Sequence, residues 1–374
     1  MMATKMPVIS ITGPRQSGKT TLAKMCFPHY SYVSLENPET FEEAQSDPKL
    51  FLTRFKSGLI IDEVQLLPQL FSYIQVISDE RNQAGEYILT GSQNFLLSAK
   101  ISQSLAGRAF ITHLLPFSIS ELKQGGFMQS NYEQYIFNGF YPRLYDRKIK
   151  PNLFYPSYIQ TYIERDVRQI INVSNLFLFQ KFMRLAAGRI GQILNYNNIA
   201  NELGVDLKTV KSWFSILETS FVAFFLQPHF QNFSKRLLKT PKLYFYDTGL
   251  VCNLLGIKRI EDVENHWARG ALFENMMIAD LMKNYFNRSE MPPLYYWRDN
   301  TGNEIDCLID ENNLMKSIEI KSSTTINSDF FKGLNYYKQL NKNSKAFLLY
   351  GGNDNYARKE AEVVSWNNAE SITG

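Results

Sequence analysis

Residues 13–20 combine two glycines, a lysine and a hydroxyl in the order G-x-x-x-x-G-K-[ST]. Glycine lets a loop bend so that successive backbone N–H groups point at phosphate oxygens. Lys19 would then reach the β- and γ-phosphates of a nucleoside triphosphate, and the Thr20 hydroxyl would bind Mg²⁺. An ordinary glycine-rich turn between a strand and a helix is the alternative. The expected nucleotide contacts are Gly13, Pro14, Arg15, Gln16, Ser17, Gly18, Lys19, Thr20 and Thr21.

A pair of acids, Asp62 and Glu63, directly follows the apolar residues 59–61. At the end of a strand such a pair suits nucleotide hydrolysis, because Asp62 would bind the water shell of Mg²⁺ and Glu63 would orient or deprotonate the attacking water. The same pair is common in a solvated turn. The phosphate loop upstream favours the hydrolytic interpretation, in which Lys19 and Glu63 are catalytic while Thr20 and Asp62 hold the metal.

Polar side chains end a further strand, residues 86–93, and could sense the γ-phosphate. If this strand lies between the strands that precede the phosphate loop and the acid pair, Thr90, Ser92 or Gln93 would face the nucleotide. A polar turn between strand and helix is the alternative. Arg108 could stabilise transition-state charge as an arginine finger, in the same chain or from a neighbouring subunit, or it could be a surface arginine.

The first 150 residues alternate short apolar strands with helical patterns. This alternation is typical of a parallel sheet covered by helices on both faces. The chain is therefore expected to be α/β, beginning with a P-loop ATPase domain built on a parallel sheet.

Four residues in the last third of the chain have the types and order of a metal-dependent nuclease. Glu274 lies in a helical pattern beside an apolar stripe, and Asp306 lies on a strand. Glu319 and Lys321 alternate on the next strand and so share one of its faces. The set is similar to the PD-(D/E)XK pattern, in which the three acids would hold Mg²⁺ or Mn²⁺ and Lys321 would position and help deprotonate the attacking water. Solvent-exposed strand charges are the alternative, and a nuclease-like fold can equally carry a site that only binds.

Between these regions, residues 197–213 have the spacing of a helix-turn-helix, with Gly204 at the turn and Asp206 as the cap of the second helix. The exposed positions of that helix suit phosphate and base-edge contacts; they are Lys208, Thr209, Lys211 and Ser212. A basic segment, residues 235–242, is expected to form the wing of a winged helix. Contact with double-stranded DNA and packing against protein both remain open for this module.

Several of these segments together resemble a known family. The relevant runs are GPRQSGKTTLAK, LIIDEVQ, YILTGSQN, LAGR and FYPR. They resemble a family of bacterial and archaeal AAA-type ATPases whose C-terminal half is a domain of long-unknown function, and the resemblance covers nearly the whole chain. It implies ATP as the nucleotide, and a nucleotide switch more than a processive motor. The chain departs from the family at FYPR, where a second glycine commonly precedes the tyrosine.

Length and composition fit several globular domains. The 374 residues are 44% hydrophobic and 20% charged, and the formal net charge of +4 permits nucleic-acid binding without arguing for it. We expect a P-loop AAA-type ATPase domain over residues 1–150, a helical linker and winged helix over 151–255, and an α/β restriction-endonuclease-like domain over 256–374. The longest apolar run is too short for a membrane helix. Three dispersed cysteines and no signal peptide favour a reducing cytoplasm.

Two functional hypotheses follow, and they differ in whether the C-terminal half cleaves. In the first, ATP hydrolysis with Mg²⁺ controls a DNA-binding or metal-dependent nuclease domain. In the second, ATP drives a switch whose C-terminal half binds DNA or protein without cleavage. A scaffold with a degenerate nucleotide site is disfavoured by the intact loop and acid pair. Homo-oligomerisation stays open, because Arg108 acting in trans requires a neighbouring subunit.

Overall fold

The computed structural model describes residues 2–92, 104–163, 176–229, 240–311 and 314–374. The chain forms two compact units. The first comprises Met1–Leu115 with Thr219–Phe221, and the second comprises Pro116–Glu218 with Val222–Gly374. The sensor candidate Gln93 and most of the basic segment 235–242 lie outside the described residues.

A five-stranded parallel sheet forms the centre of the first unit. Its strands are β1 (Val8–Thr12), β2 (Ser31–Ser34), β3 (Leu59–Asp62), β4 (Tyr87–Gly91) and β5 (Ala109–His113). They lie in the order β2-β3-β4-β1-β5. The helices between them are α1 (Lys19–Cys26), α2 (Pro38–Ser46), α3 (Pro48–Thr53) and α4 (Leu70–Arg81). Strand β4 thus lies between the strand before the phosphate loop and the strand before the acid pair, as the sensor hypothesis requires.

Alternating apolar residues explain why helices cover both faces of this sheet. Ile60 and Ile88 belong to one core cluster with Ala23 of α1. The next residues along, Ile61 and Leu89, belong to a second cluster with side chains of α3 and α4. Because successive side chains of a strand point to opposite faces, each strand contributes to both clusters. The parallel sheet expected for the N-terminal part is confirmed.

The second unit begins with helices. The first are α5 (Ile119–Gln124), α6 (Tyr132–Asn138), α7 (Pro142–Asp146) and α8 (Pro151–Tyr158), followed by the π-helical turn Ile159–Ile163. Three more are α9 (Leu176–Ala187), α10 (Tyr196–Leu203) and α11 (Leu207–Thr219). An antiparallel pair follows, β6 (Ala223–Leu226) and β7 (Lys242–Phe245), and Ile193 bridges to Lys242.

Helices α12 (Thr248–Leu254), α13 (Ile260–Glu264) and α14 (Arg269–Asn287) lead to the last part of the chain. Both α6 and α8 pack against α12. These contacts draw the helices after residue 116 into the second unit. Packing therefore divides the chain at Leu115, earlier than the boundary at residue 150 expected from the sequence.

A six-stranded mixed sheet ends the second unit. Its strands are β8 (Leu294–Arg298), β9 (Glu304–Glu311), β10 (Leu314–Lys321), β11 (Ser344–Tyr350), β12 (Tyr356–Ala357) and β13 (Glu362–Ser365). They lie in the order β12-β13-β11-β10-β9-β8. Strands β8, β9 and β10 are antiparallel neighbours, whereas β10, β11 and β13 run parallel. Two further helices belong to this last part of the second unit, α15 (Lys332–Leu340) and α16 (Glu370–Thr373).

Helix α14 is buried well beyond the single apolar stripe that its sequence suggests. Its polar residues Asn275, Asp280 and Lys283 are all at most 2% exposed. Asn275 explains part of this burial, because its side chain accepts from the Phe245 N–H and donates to the Phe245 carbonyl, both at 2.8 Å. The helix is thereby fastened to strand β7. None of the described helices is long and apolar enough to cross a membrane.

Candidate nucleotide site and acidic cluster

The phosphate loop leaves β1 at Gly13 and enters α1 at Lys19. A side chain at Gly13 would lie 2.0 Å from the backbone oxygen of Leu114, and the φ of +151° favours glycine as well. Gly18 and Gln16 also have positive φ values, 97° and 62°. These bends wrap the loop around the start of α1, which is the geometry in which backbone N–H groups face a bound phosphate.

Lys19 is held inside this loop. Its side chain is buried, and the ammonium donates to the carbonyl oxygens of Gly13 at 3.0 Å and Pro14 at 2.7 Å. A phosphate bound by the loop would offer this ammonium charged acceptors, which form stronger hydrogen bonds than neutral carbonyls. The lysine is therefore placed to bind phosphate without a large movement of its backbone.

Asp62 accepts hydrogen bonds from three hydroxyl groups. Thr20 Oγ1 and Tyr32 OH each donate to its Oδ2 at 2.9 Å, and Thr90 Oγ1 donates to its Oδ1. The two residues expected to hold Mg²⁺, Thr20 and Asp62, are thus in direct contact. Sequence reasoning misses Tyr32, because nothing in the local sequence of β2 marks it. Burial and the neighbouring Asp62 raise the pKa of Tyr32 to about 12, so it remains a neutral donor.

Glu63 has a φ of 54°, in the left-handed region that residues with side chains seldom adopt. Its Oε2 accepts from Ser92 Oγ at 3.1 Å and from Gln65 Nε2. Sequence reasoning misses Gln65 too, although it stands in the LIIDEVQ run. The described sensor candidates Thr90 and Ser92 therefore both contact the acid pair.

The residues of the loop fit a nucleoside triphosphate with Mg²⁺. Within the described part of the chain, Ser17 Oγ and Gln16 Oε1 are buried atoms without a hydrogen-bond partner. An unpartnered buried polar atom is costly unless a ligand or water satisfies it. The remaining predicted contacts occupy the loop and the first turn of α1; they are Pro14 and Arg15 in the loop and the exposed Thr21 in α1.

Arg108 lies at the N-terminal end of the parallel strands, whereas the phosphate loop follows the C-terminal end of β1. It directly precedes β5, and its carbonyl oxygen accepts from the N–H of Val8 at the start of β1. Its guanidinium binds the carboxylate of Asp79 on α4, with Nη2 to Oδ2 at 2.8 Å. An arginine finger acting within the same chain is not supported by this placement. Action on a neighbouring subunit stays a hypothesis.

In the second unit, the four residues of the nuclease-like pattern come together. Lys321 Nζ lies 2.6 Å from Glu319 Oε1 and 3.6 Å from Asp306 Oδ2. Burial raises the pKa of both Glu274 and Glu319, and the charge of Asp306 adds to the increase for each. The carboxylates from α14, β9 and β10 therefore share one site, which we call the acidic cluster. It comprises Glu274, Glu304, Asp306 and Glu319.

Lys321 is a charged donor in this cluster. Burial would lower its pKa, but the carboxylates of Asp306 and Glu319 outweigh burial and raise the pKa above its usual value. An ammonium donates hydrogen bonds and has no lone pair with which to accept a proton. The arrangement is consistent with the expected positioning role of Lys321, and its part in deprotonating water stays a prediction.

Lys242 occupies a place that the sequence does not predict. The basic run 235–242 predicts an exposed wing residue, whereas the structure leaves this lysine 2% exposed at the start of β7. Its ammonium lies 3.4 Å from Glu274 Oε1 and pairs with Glu304 Oε1. A basic run usually marks a solvated face, but here the compensating acids come from distant parts of the chain. Lys242 is therefore a buried residue of strand β7 and not an exposed basic residue.

The acidic cluster does not form a metal site in this arrangement. Across the described ranges, no group of three or more histidine, cysteine, aspartate or glutamate side chains is arranged to hold a metal ion. The acids predicted as metal ligands are close together, but each of them pairs with a lysine ammonium group. The structure therefore does not support Glu274, Asp306 and Glu319 as a ready ligand set.

The helix-turn-helix geometry agrees with its sequence pattern. Gly204 ends α10 with a φ of 68°, and Asp206 accepts from Thr209 N–H and from Thr209 Oγ1, each at 2.8 Å. The Thr209 hydroxyl is thus used for capping. Lys208 and Lys211 on α11 are exposed. These two lysines are the remaining charged candidates for contact with a polyanion.

Comparison with known families divides the chain into three matched segments. Residues 5–123 match a model described as AAA domain. Residues 129–261 match a domain of unknown function (DUF8612), and residues 269–369 match another domain of unknown function (DUF4143). The N-terminal segment is therefore similar to an AAA domain, and the two later descriptions name no activity.

Curated relatives are similar over most of the chain. An uncharacterized protein of Mycobacterium tuberculosis (strain ATCC 25618 / H37Rv) is 28% identical over 330 residues, which are 86% of this chain and 71% of the relative. An uncharacterized protein of Haemophilus influenzae is 22% identical over 281 residues, covering 66% of this chain and 69% of the relative. Neither description states an activity.

A solved structure with limited likeness is a Signal Transduction ATPase with Numerous Domains (STAND) protein with a tetratricopeptide repeat sensor, from Pyrococcus horikoshii. The TM-score is 0.29 and the identity 12%, over 77% of this chain and 46% of that chain. This chain thus spans less than half of that protein's length. Likeness at this level does not establish a common fold.

Proposed function

We propose that the N-terminal unit binds ATP with Mg²⁺ and hydrolyses it. The observation that carries this proposal is the contact of the phosphate loop with the acid pair, because Thr20 donates to Asp62 at 2.9 Å beside the buried Lys19. Glu63, one residue further, is held by Ser92 from β4. Phosphate binding, metal binding and water activation are thus assigned to adjacent side chains.

Each residue has a separate task in this proposal. Lys19 and the backbone of the loop bind the phosphates, and Lys19 stabilises the charge that develops during transfer. Thr20 and Asp62 would hold Mg²⁺, which supplies charge neutralisation at the phosphates. Glu63 orients the attacking water or accepts its proton, while Ser92 keeps the Glu63 carboxylate in place.

Steady-state phosphate release by the purified full chain tests the hydrolysis. We expect Lys19→Ala to lower kcat by at least about 100-fold, because it removes the charge that faces the transferred phosphoryl group. Lys49→Ala is the matched control, since Lys49 is an exposed lysine on α3 of the same unit. Unchanged turnover in Lys19→Ala would refute the assignment, provided that the control also retains its activity.

We further propose that the second unit couples this ATP cycle to double-stranded DNA through α10 and α11. The supporting observation is the capped helix-turn-helix with exposed Lys208 and Lys211, followed by the antiparallel pair β6 and β7. This order of three helices and two strands is that of a winged helix. A protein partner is the alternative occupant. DNA cleavage is not part of the proposal, because the acids expected to bind a metal ion pair with lysines instead.

ATP turnover with and without added double-stranded DNA tests the coupling. Stimulation by DNA that Lys208→Ala and Lys211→Ala together abolish would support it. If basal ATP turnover is normal and DNA does not change it, the proposed hydrolysis is supported and the coupling to DNA is refuted. The partner would then be sought among proteins.

A further inference from the structure

We propose that Lys242 is the resident cation of the acidic cluster and that it excludes a divalent metal ion from the position that a metal-dependent nuclease would fill. The sequence pattern of Glu274, Asp306, Glu319 and Lys321 implies a metal, and the residues present do not fit one. This disagreement concerns the second unit alone. It is independent of the proposed ATP hydrolysis.

The first argument is the position of the Lys242 ammonium. It reaches two carboxylates from different elements, Glu274 of α14 at 3.4 Å and Glu304 at the start of β9. The lysine side chain is 3% exposed, whereas those two carboxylate side chains are 17% and 26% exposed. The cation thus lies deeper than the two acids with which it pairs.

The second argument is that each predicted metal ligand already has a donor from the protein. Glu274 Oε1 accepts from Tyr244 OH at 2.5 Å as well as from Lys242. Asp306 Oδ2 accepts from the Ile320 N–H at 2.8 Å. Glu319 Oε1 is paired with Lys321 at 2.6 Å. A divalent ion bound at these atoms would have to displace those partners. Within the described part of the chain, the other oxygen of Glu319, Oε2, is buried and has no hydrogen-bond partner.

The third argument is that the backbone holds Lys242 in place. Strand β7 pairs with β6, where Lys242 lies opposite Leu226, and Ile193 bridges to the same lysine from the other side. Asn275 then fastens Phe245, at the end of β7, to α14. A backbone movement that takes Lys242 out of the cluster would therefore break these contacts.

Electrostatics gives the expected effect of removing this lysine. Two ammonium groups, Lys242 and Lys321, and the Arg298 guanidinium pair with the four carboxylates of the acidic cluster. A neutral residue at position 242 leaves Glu274 without its lysine, while Glu304 keeps its pair with Arg298 at 3.2 Å. Uncompensated buried carboxylates favour a new cation, and a divalent ion supplies it in the space that the ammonium leaves.

Mn²⁺ binding to the full chain, followed by electron paramagnetic resonance, tests the proposal. The parent carries Asp62→Asn, so that the nucleotide site takes no metal. We expect no Mn²⁺ site in the second unit of the parent. We expect one site in the parent with Lys242→Met, with an affinity at least about tenfold higher than any residual Mn²⁺ binding by the parent. The added change Asp306→Asn should abolish that site. The parent with Lys345→Met, an exposed lysine paired with Glu362, should behave like the parent.

Two outcomes overturn the proposal. One is a Mn²⁺ site in the parent that Asp306→Asn abolishes, because the lysine then excludes nothing. The other is a Lys242→Met protein that keeps the tryptophan emission of the parent and binds Mn²⁺ no more tightly. If Lys242→Met does not fold, the parent and its Asp306→Asn derivative still test the proposal. A Mn²⁺ site in the parent that Asp306→Asn abolishes refutes the exclusion of metal, and the absence of such a site supports it.

Discussion

Glu63 reaches the end of β3 in a left-handed backbone conformation, which costs about 1 kcal/mol or more for a residue with a side chain. Hydrogen bonds from Ser92 and Gln65 then direct its carboxylate. Asp62, one residue earlier, accepts hydrogen bonds from three hydroxyl groups. The two acids of the pair are thus given different surroundings, which suits different tasks: metal binding for Asp62 and water activation for Glu63.

At this scale we predict that Glu63→Gln separates binding from hydrolysis. The amide keeps the size of the side chain but cannot accept a proton, so kcat should fall by at least about 100-fold while ATP affinity stays within about threefold. Phosphate release and titration with a fluorescent ATP analogue measure the two quantities. Glu42→Gln, at an exposed acid of α2, is the control. Loss of ATP binding in Glu63→Gln would contradict the separate roles.

Among the elements, α10 and α11 show how local sequence builds an exposed charged face. The turn at Gly204 and the cap at Asp206 orient α11. Its apolar side then packs Trp213 against Phe179 and Phe182 of α9. Once that side is buried, the lysines of the first turns must face solvent. A surface of this kind attracts phosphates without reading sequence, because lysine contacts to the DNA backbone are electrostatic.

We predict that the double change Lys208→Ala with Lys211→Ala weakens double-stranded DNA binding at every sequence tested. Two phosphate contacts should be lost, so the slope of log K against log salt should become smaller by about 2. Fluorescence anisotropy over a range of salt concentrations gives this slope. Lys332→Ala, at the exposed first residue of α15, which pairs with Asp329, should leave the slope unchanged. Equal slopes in the double variant and the wild type would count against DNA contact by α11.

Over the whole second unit, a buried polar network joins its first helices to α14. Asp280 Oδ1 accepts from the Ile119 N–H at 2.7 Å, and Lys283 Nζ donates to the Phe117 carbonyl at 3.0 Å. Burial raises the pKa of Asp280 to about 6 and lowers that of Lys283 to about 8. These side chains hold residues 117–124 against α14. This contact explains why the stretch belongs to the second unit.

The raised pKa of Asp280 predicts a pH dependence of stability. The folded chain binds the proton of Asp280 up to about pH 6, whereas the unfolded chain releases it near the usual value of 3.8. Asp280 therefore contributes about 3 kcal/mol to the free energy of unfolding below pH 3.8. This contribution is lost as pH rises from 3.8 through 6. Charged neighbours are Lys283, Glu121 and Glu370. Asp280→Asn, which keeps an acceptor for the Ile119 N–H, should lack this decline.

Urea unfolding between pH 4 and pH 7, followed by tryptophan fluorescence, measures this difference. All four tryptophans lie in the second unit, so the signal reports on the unit that contains Asp280; they are Trp213, Trp267, Trp297 and Trp366. Asp329→Asn, at an exposed acid, should follow the wild type. Parallel pH profiles for the wild type and Asp280→Asn would show that Asp280 has an ordinary pKa.

The sequence by itself determined the features whose causes are local. The spacing of glycines, lysine and threonine in residues 13–20 defines a phosphate loop, because a tight turn and a helix start involve only neighbouring residues. Alternation of apolar strands with helical patterns predicted the parallel sheet. The order of acids and lysine in the last third likewise predicted that Glu319 and Lys321 would be neighbours on one strand face.

Only the tertiary structure decided which distant groups meet. It paired Arg108 with Asp79, added Tyr32 to the surroundings of Asp62, and buried Lys242 among the acids. None of these contacts has a local signal, since the partners lie far apart along the chain and meet only when helices and sheets pack. The physical reason is that a buried charge requires compensation, and the fold alone determines which residues supply it.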